Sequence, residues 1–201
     1  ICIEKGYAKD IELNITTNAT KFTKKFLERI ESFKNIKLNI SCDGHGDVYE
    51  YIRYPFKWKK FDERIQDIES TDISYSITAV PQMYNIENLY KLQEWSKDNR
   101  ADADVYLNTF LQPENNYNSL KFVPHYILQD ALEKIEENKN SIILTKQLKK
   151  LVQKKYQPTD EEFIMITKSV YSIDKVRDQN FRNYLEPMIK EWLEGVFKVY
   201  A

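Results

Sequence analysis

Residues 36–46, Ile-Lys-Leu-Asn-Ile-Ser-Cys-Asp-Gly-His-Gly, decide how the rest of the chain is read. Apolar Ile36, Leu38 and Ile40 alternate with polar Lys37, Asn39 and Ser41, which is strand chemistry, and Asp43-Gly44 closes the run with a turn dipeptide. From Val48 to Ile68 the apolar residues recur at helical spacing, interrupted near Pro55. Strand, polar turn and helix make one βα unit.

The same rhythm extends to both sides. Upstream, Ile11–Thr17 is a β-branched alternating run, followed by Phe22, Phe26, Leu27, Ile30 and Phe33 on one helical face. Downstream, Ile73–Val80 runs into Pro81, and Asn85 caps a helix whose buried stripe is Ile86, Leu89, Leu92 and Trp95. Ala103–Leu111 reads as a fourth strand, and its loop leads to a short extended stretch over Leu120–Val123. Pro124 then takes the first position of a helix, and four helical segments follow: His125–Asn138, Ile142–Lys155, Asp160–Val176 and Phe181–Phe197. The fold expected is therefore α/β: a partial parallel βα barrel of about four strands over residues 1–123, then a helical region over 124–201. In such sheets ligands sit at the carboxyl ends of the strands, here Thr17-Asn18, Ser41 to Gly44, Ala79 to Gln82 and Leu111 to Pro113.

Composition narrows the function classes. The 201 residues are 42% hydrophobic and 13% aromatic, enough for a folded core and too much for a disordered chain. Thirty basic and 31 acidic side chains nearly cancel, so no global field draws in nucleic acid or an anionic surface. Lys146, Lys149, Lys150, Lys154 and Lys155 share one amphipathic segment and read as a solvated face rather than a nucleic-acid surface. No apolar run reaches the roughly 18 residues of a membrane span, and the expected location is the cytoplasm. Cys2 and Cys42 are too few for a disulfide framework or for a thiolate-built zinc or iron–sulfur site, and free thiols are expected. With four Gly in the whole length and no Walker, HExxH or Ser/His/Asp pattern, most kinase and hydrolase chemistries drop out.

The densest polar stretch is Ser41-Cys42-Asp43-Gly44 with Tyr49 to Pro55 and Trp58 behind it. A strand-end hydroxyl and carboxylate can bind ligand hydroxyls, and Arg53 can clamp a carboxylate in two-point fashion. The competing reading makes Asp43-Gly44 a plain turn and pairs Arg53 with a surface acid. His45 has no partner apparent in the sequence, and so gives only a weak signal for a catalytic base.

The strand end Thr17-Asn18-Ala19-Thr20, then Ser41-Cys42-Asp43-Gly44 with Tyr-Glu-Tyr-Ile-Arg-Tyr-Pro and Trp58 behind it, resembles the middle of radical S-adenosylmethionine enzymes of the SPASM/twitch type. There the matching segments read TNG or TNA and S-x-D-G. The resemblance runs on through Ile73–Trp95 and Leu111–Val123, and covers most of the chain. It implies a partial barrel that binds S-adenosylmethionine across its strand ends, with Ser41 and Asp43 near the ribose and methionyl group and Asn18 beside them. Arg53 then becomes the candidate for the methionyl carboxylate, Arg64 its rival, and Cys42 an inward-packing replacement for an aliphatic residue. A [4Fe-4S] cluster, held by a CxxxCxxC loop, would cleave the cofactor reductively to a 5′-deoxyadenosyl radical that abstracts hydrogen from a peptide or small molecule. A separate reductant would feed the cluster.

Neither that loop nor the GGEP-like motif that grips the methionyl amino group occurs here, and two cysteines cannot supply three thiolates. The chain, which opens Ile-Cys-Ile, then reads as the carboxyl part of such an enzyme with at least ~60 residues of barrel before it, at roughly 30 per βα unit. On this expectation the chain alone is inactive. Residues 130–201 carry no cysteines for auxiliary clusters, so any twitch label is nominal. The alternative is a non-catalytic α/β binding module whose helical tail docks a partner, and a CxxxCxxC in the upstream reading frame would separate the two.

Overall fold

In the chain's computed structural model, residues 1–98, 105–108, 117–137, 142–153 and 156–201 are described. Four strands, β1 (Glu12–Thr17), β2 (Asn35–Ser41), β3 (Ser74–Ala79) and β4 (Val105–Leu107), form one sheet in the order β1-β2-β3-β4. Every pairing is parallel. Between them lie α1 (Lys24–Ile30), then α2 (Asp47–Ile52) with α3 (Trp58–Glu69), then α4 (Leu89–Asp98). Four further helices follow: α5 (His125–Glu137), α6 (Ile142–Val152), α7 (Asp160–Arg177) and α8 (Pro187–Tyr200).

The alternation sorts the sheet into two unlike faces. In register, Ile15, Leu38 and Tyr75 lie in one row, and Ile40, Ile77 and Val105 in the next; Leu38, Ile40, Ile77 and Val105 are wholly buried. Right-handed crossovers in series bring successive helices to the same side of the sheet. The core there takes in Leu27 and Ile30 of α1, Phe61, Ile65 and Ile68 of α3, and Leu89 and Leu92 of α4. The opposite face presents Asn14, Thr16, Lys37, Asn39, Ser41, Ser74, Ser76, Thr78 and Tyr106, each exposed or half-buried. An all-parallel sheet usually has apolar chemistry on both faces. This one has a polar face.

Side chains cross that face as a ladder. The Ser76 hydroxyl donates to Asn39 Oδ1 at 2.9 Å, and Asn39 Nδ2 donates to Asn14 Oδ1 at 2.7 Å, which joins three strands.

Several expectations need correction. Phe26 is 38% exposed because α1 spans only Lys24–Ile30, begun by the Thr23 side chain accepting from the Phe26 amide, so its short apolar face is carried by Leu27 and Ile30. Leu120–Phe122 is a 3-10 turn rather than an extended stretch, started by Ser119. Pro124 stands just before α5, its carbonyl accepting from the Ile127 and Leu128 amides. The segment expected as one helix over Phe181–Phe197 is a 3-10 turn at Phe181–Asn183 followed by α8, with Pro187 as first helical residue, because proline lacks the amide that would continue the turn. The fourth strand is described over Val105–Leu107, with the Asn108 amide after it donating to the Ala79 carbonyl at 2.8 Å, while residues 103–104 and 109–111 lie outside the described residues, as do Asn138, Lys154 and Lys155. The interruption at Pro55 separates α2 from α3.

One core cluster runs from Ala19 through the sheet to Ile166 and Leu193 of the last helices. No helix among the described residues is long and apolar enough to cross a membrane.

Candidate functional site

The first three strand ends meet at one edge of the sheet, since Thr17 pairs with Ile40 and Ser41 with Thr78. Asn18, Ser41 and Val80 follow these positions at the same end. Leu111, the fourth expected strand end, lies outside the described residues.

Asn18 is exposed and spends its carbonyl oxygen locally, accepting from the Thr20 amide at 3.2 Å and the Thr20 hydroxyl at 2.8 Å. The tight turn this makes puts Ala19 at φ 58°, a left-handed conformation that costs a non-glycine residue about 1–2 kcal/mol. Ala19 is completely buried there. Ser41 is half-buried on the polar face, and its hydroxyl has no hydrogen-bond partner among the described residues.

Asp43 is 5% exposed and fully engaged. Its Oδ2 meets Arg53 Nη2 at 2.6 Å, and its Oδ1 accepts the Val80 amide at 2.8 Å. Arg53 does pair with an acid, but not with the surface acid that reading expected: its partner is the buried Asp43 itself, because the end of α2 returns to the loop leaving β2. Arg53 keeps a quarter of its side chain exposed, and its buried Nε has no partner. Arg64 lies elsewhere, bonded to Asp67 at 2.8 Å. Cys42 packs inward with no exposure, its thiol donating to the Gly44 carbonyl, and burial pushes that thiol far up from its ordinary range.

Sequence reasoning missed the residues that tie these loops together. Asn85 stands at a helix-cap position, but its side chain makes no cap. Its Nδ2 donates to the carbonyls of Asp43 and Val80 at 2.8 and 2.9 Å, and its Oδ1 accepts the Gln82 amide. Asn88 Oδ1 accepts the His45 amide at 2.6 Å, and its Nδ2 donates to Glu186, which also takes Lys91. Glu87, 3% exposed, accepts the Ile189 amide of α8 at 2.9 Å. The only signal available beforehand was an excess of amides and acid in Gln82–Asn88, directly after a strand end.

His45 sits edge-on to Trp58 with ring centroids 4.5 Å apart. Burial lowers its pKa from the ordinary value, and Lys91 adds to the effect against Asp62, Glu186 and Glu94. A catalytic-base role finds no geometric support in this arrangement.

The cluster expected from the resemblance does not fit this chain. Cys2 is exposed, Cys42 is sealed in the core, and the described residues hold no group of three or more His, Cys, Asp or Glu able to bind a metal ion. No protein-family model, curated protein or solved structure matches the chain.

Proposed function

We propose that this chain is the carboxyl-terminal part of a radical S-adenosylmethionine barrel of the SPASM/twitch type, and that its polar sheet face and strand ends form one wall of the cofactor site. The observation that carries this reading is the sequential all-parallel sheet whose polar face ends at Ser41, where an unpartnered hydroxyl lies near the Asp43–Arg53 pair. Sequential strand order with the helices on one side is the arrangement of a βα barrel wall, whereas a doubly wound sheet reverses its order and buries both faces.

In this reading Ser41 donates to a ribose or methionyl oxygen. Arg53, held by Asp43 and a quarter exposed, offers its exposed N–H groups to a carboxylate. Asp43 is then a positioning residue rather than a ribose ligand, since both of its oxygens are in use. Asn18 shapes the neighbouring turn. S-adenosylmethionine would supply the 5′-deoxyadenosyl group for hydrogen abstraction from a peptide or small molecule, while the iron–sulfur cluster and its reductant have to come from outside this chain.

The test is titration of the chain with S-adenosylmethionine, followed by amide NMR shifts. Weak binding that perturbs Ser41, Thr78 and Arg53, and that Ser41→Ala weakens by about 1–2 kcal/mol, supports the proposal. Binding that leaves those residues unmoved, or none at all, removes it.

A non-catalytic α/β binding module is the second reading, and one observation favours it. Asp43 and Arg53 satisfy each other's charge, so the strand end is neutral without any ligand.

A further inference from the structure

A cavity of about 240 Å³ lies between the turn after β1 and the helices α2 and α3. Its walls are the rings of Tyr49, Phe56 and Phe61, and its rim carries Lys57, Lys60 and Arg64. Thr20 completes it from the turn. None of Asn18, Ser41, Asp43 and Arg53 lines it, so a ligand bound there is independent of the cofactor reading.

The lining has a one-sided charge. Three cations face the cavity and no acid does. Each cation is already paired with an acid: Lys57 with Glu50, Lys60 with Glu63 and Arg64 with Asp67. The Lys60–Glu63 pair is open on both sides and Lys57 is 64% exposed, so these two cations can turn towards a second anion, whereas Arg64, 35% exposed against an Asp67 that is 18% exposed, is held in place. Arg64 is the least mobile of the three, being the most buried and one α-helical turn from its partner on α3.

Tyr49 adds a polar atom to the aromatic wall. The residue is 1% exposed, wedged against Phe61 at 4.9 Å and Trp58 at 5.5 Å. Its hydroxyl makes no hydrogen bond to a described residue, and unlike the Tyr51 and Tyr84 hydroxyls it is not sealed in the core. An oxygen atom bound in this cavity would give it a partner.

We propose that this cavity binds a small aromatic carboxylate, with the ring between Phe56 and Phe61 and the carboxylate between Arg64 and the Tyr49 hydroxyl. The volume sets the size, since it falls below the roughly 300–1,000 Å³ of pockets for drug-sized ligands and admits a single substituted ring. The cationic rim sets the charge, and the aromatic walls set the body.

The experiment titrates the full chain with benzoate, and in parallel with benzamide and inorganic phosphate, following the amide signals of Thr20, Lys57 and Lys60. Benzoate is expected to bind with a millimolar or lower Kd, and benzamide and phosphate about tenfold or more weakly, the first lacking the charge and the second the ring. Arg64→Gln should weaken benzoate at least about fivefold and Arg64→Lys, which keeps the charge, should weaken it less, with a cooperative melting transition in both showing that the loss is not one of folding. Tyr49→Phe should weaken it about threefold or more, as one hydrogen bond is lost. Absence of benzoate binding, equal binding of benzamide, or wild-type affinity in Arg64→Gln overturns the proposal. Phosphate binding as tightly as benzoate overturns the aromatic part. Because this titration reads Thr20 and Lys60 while the cofactor titration reads Ser41 and Thr78, the two can fail separately.

Discussion

Arg53 Nη2 lies 2.6 Å from Asp43 Oδ2, an ion pair that joins the end of α2 to the loop leaving β2. The same carboxylate holds the Val80 amide, so a single side chain fastens two strand ends and one helix end. Removing one partner of a mostly buried pair leaves a charge without compensation. Asp43→Ala is expected to lower stability by about 2–4 kcal/mol, less than for a fully sealed pair because Arg53 is a quarter exposed. Asp43→Asn, which can still accept the Val80 amide, should lose less. Denaturant midpoints decide it, and equal losses in the two variants would show that the amide bond contributes nothing.

Glu87 makes stability depend on pH in a definite direction. Burial raises its pKa above the ordinary 4.5, opposed by the Ile189 and Met188 amides and by Lys134, and reinforced by Glu186. The folded state therefore holds this proton to higher pH than the unfolded chain does. Its contribution is complete below the unfolded pKa and falls as pH rises through the folded one. Glu87→Gln, which keeps an acceptor for the Ile189 amide, should gain stability relative to the wild-type chain as pH climbs above 4.5. Thermal midpoints taken at successive pH values would show the difference growing; a constant difference would mean that Glu87 titrates as it does in the unfolded chain.

Gly44 and Gly195 should respond oppositely to alanine. A Cβ at Gly44 would stand 2.9 Å from Val48 Cγ1 and 3.2 Å from Asn88 Oδ1, the atom that holds the His45 amide. Gly44→Ala should therefore cost about 1–3 kcal/mol and disturb the His45 amide signal. Gly195 is exposed within α8 and meets nothing within 4 Å, so Gly195→Ala should stabilise by about 0.5–1 kcal/mol. Melting temperatures of the two variants test both signs.

His45 should titrate below 6.5, with burial as the first cause and Lys91 as the second. Lys91→Gln removes a repelling charge and also frees Glu186, so both effects should raise the His45 pKa. Imidazole NMR titration of the two proteins checks it. A lower pKa in the variant would contradict the assignment.

Much of the fold was legible in the chain. Alternation in Ile11–Thr17, Ile36–Ser41 and Ile73–Val80 marked three strands within a residue or so, and the stripe Ile86, Leu89, Leu92 and Trp95 is buried as its spacing demanded. Periodicity carries this information because a strand or helix sorts its own side chains by face, whatever the rest of the molecule does. Parallel pairing also followed, since strands joined by helices have little alternative. The site was legible only in its residue types. Ser41, Asp43 and Arg53 do gather at one strand end, yet nothing local distinguished an Arg53 open to a ligand from one held by Asp43, ten positions away. Asn85 looked like a cap and instead sews two loops, and Glu87 accepts an amide 102 residues downstream. Such bonds join groups that are far apart in sequence and strong only once buried, where a lone polar group costs more than the bond returns. Tertiary packing alone decided which polar groups face each other and which, like the Ser41 hydroxyl, have no partner among the described residues.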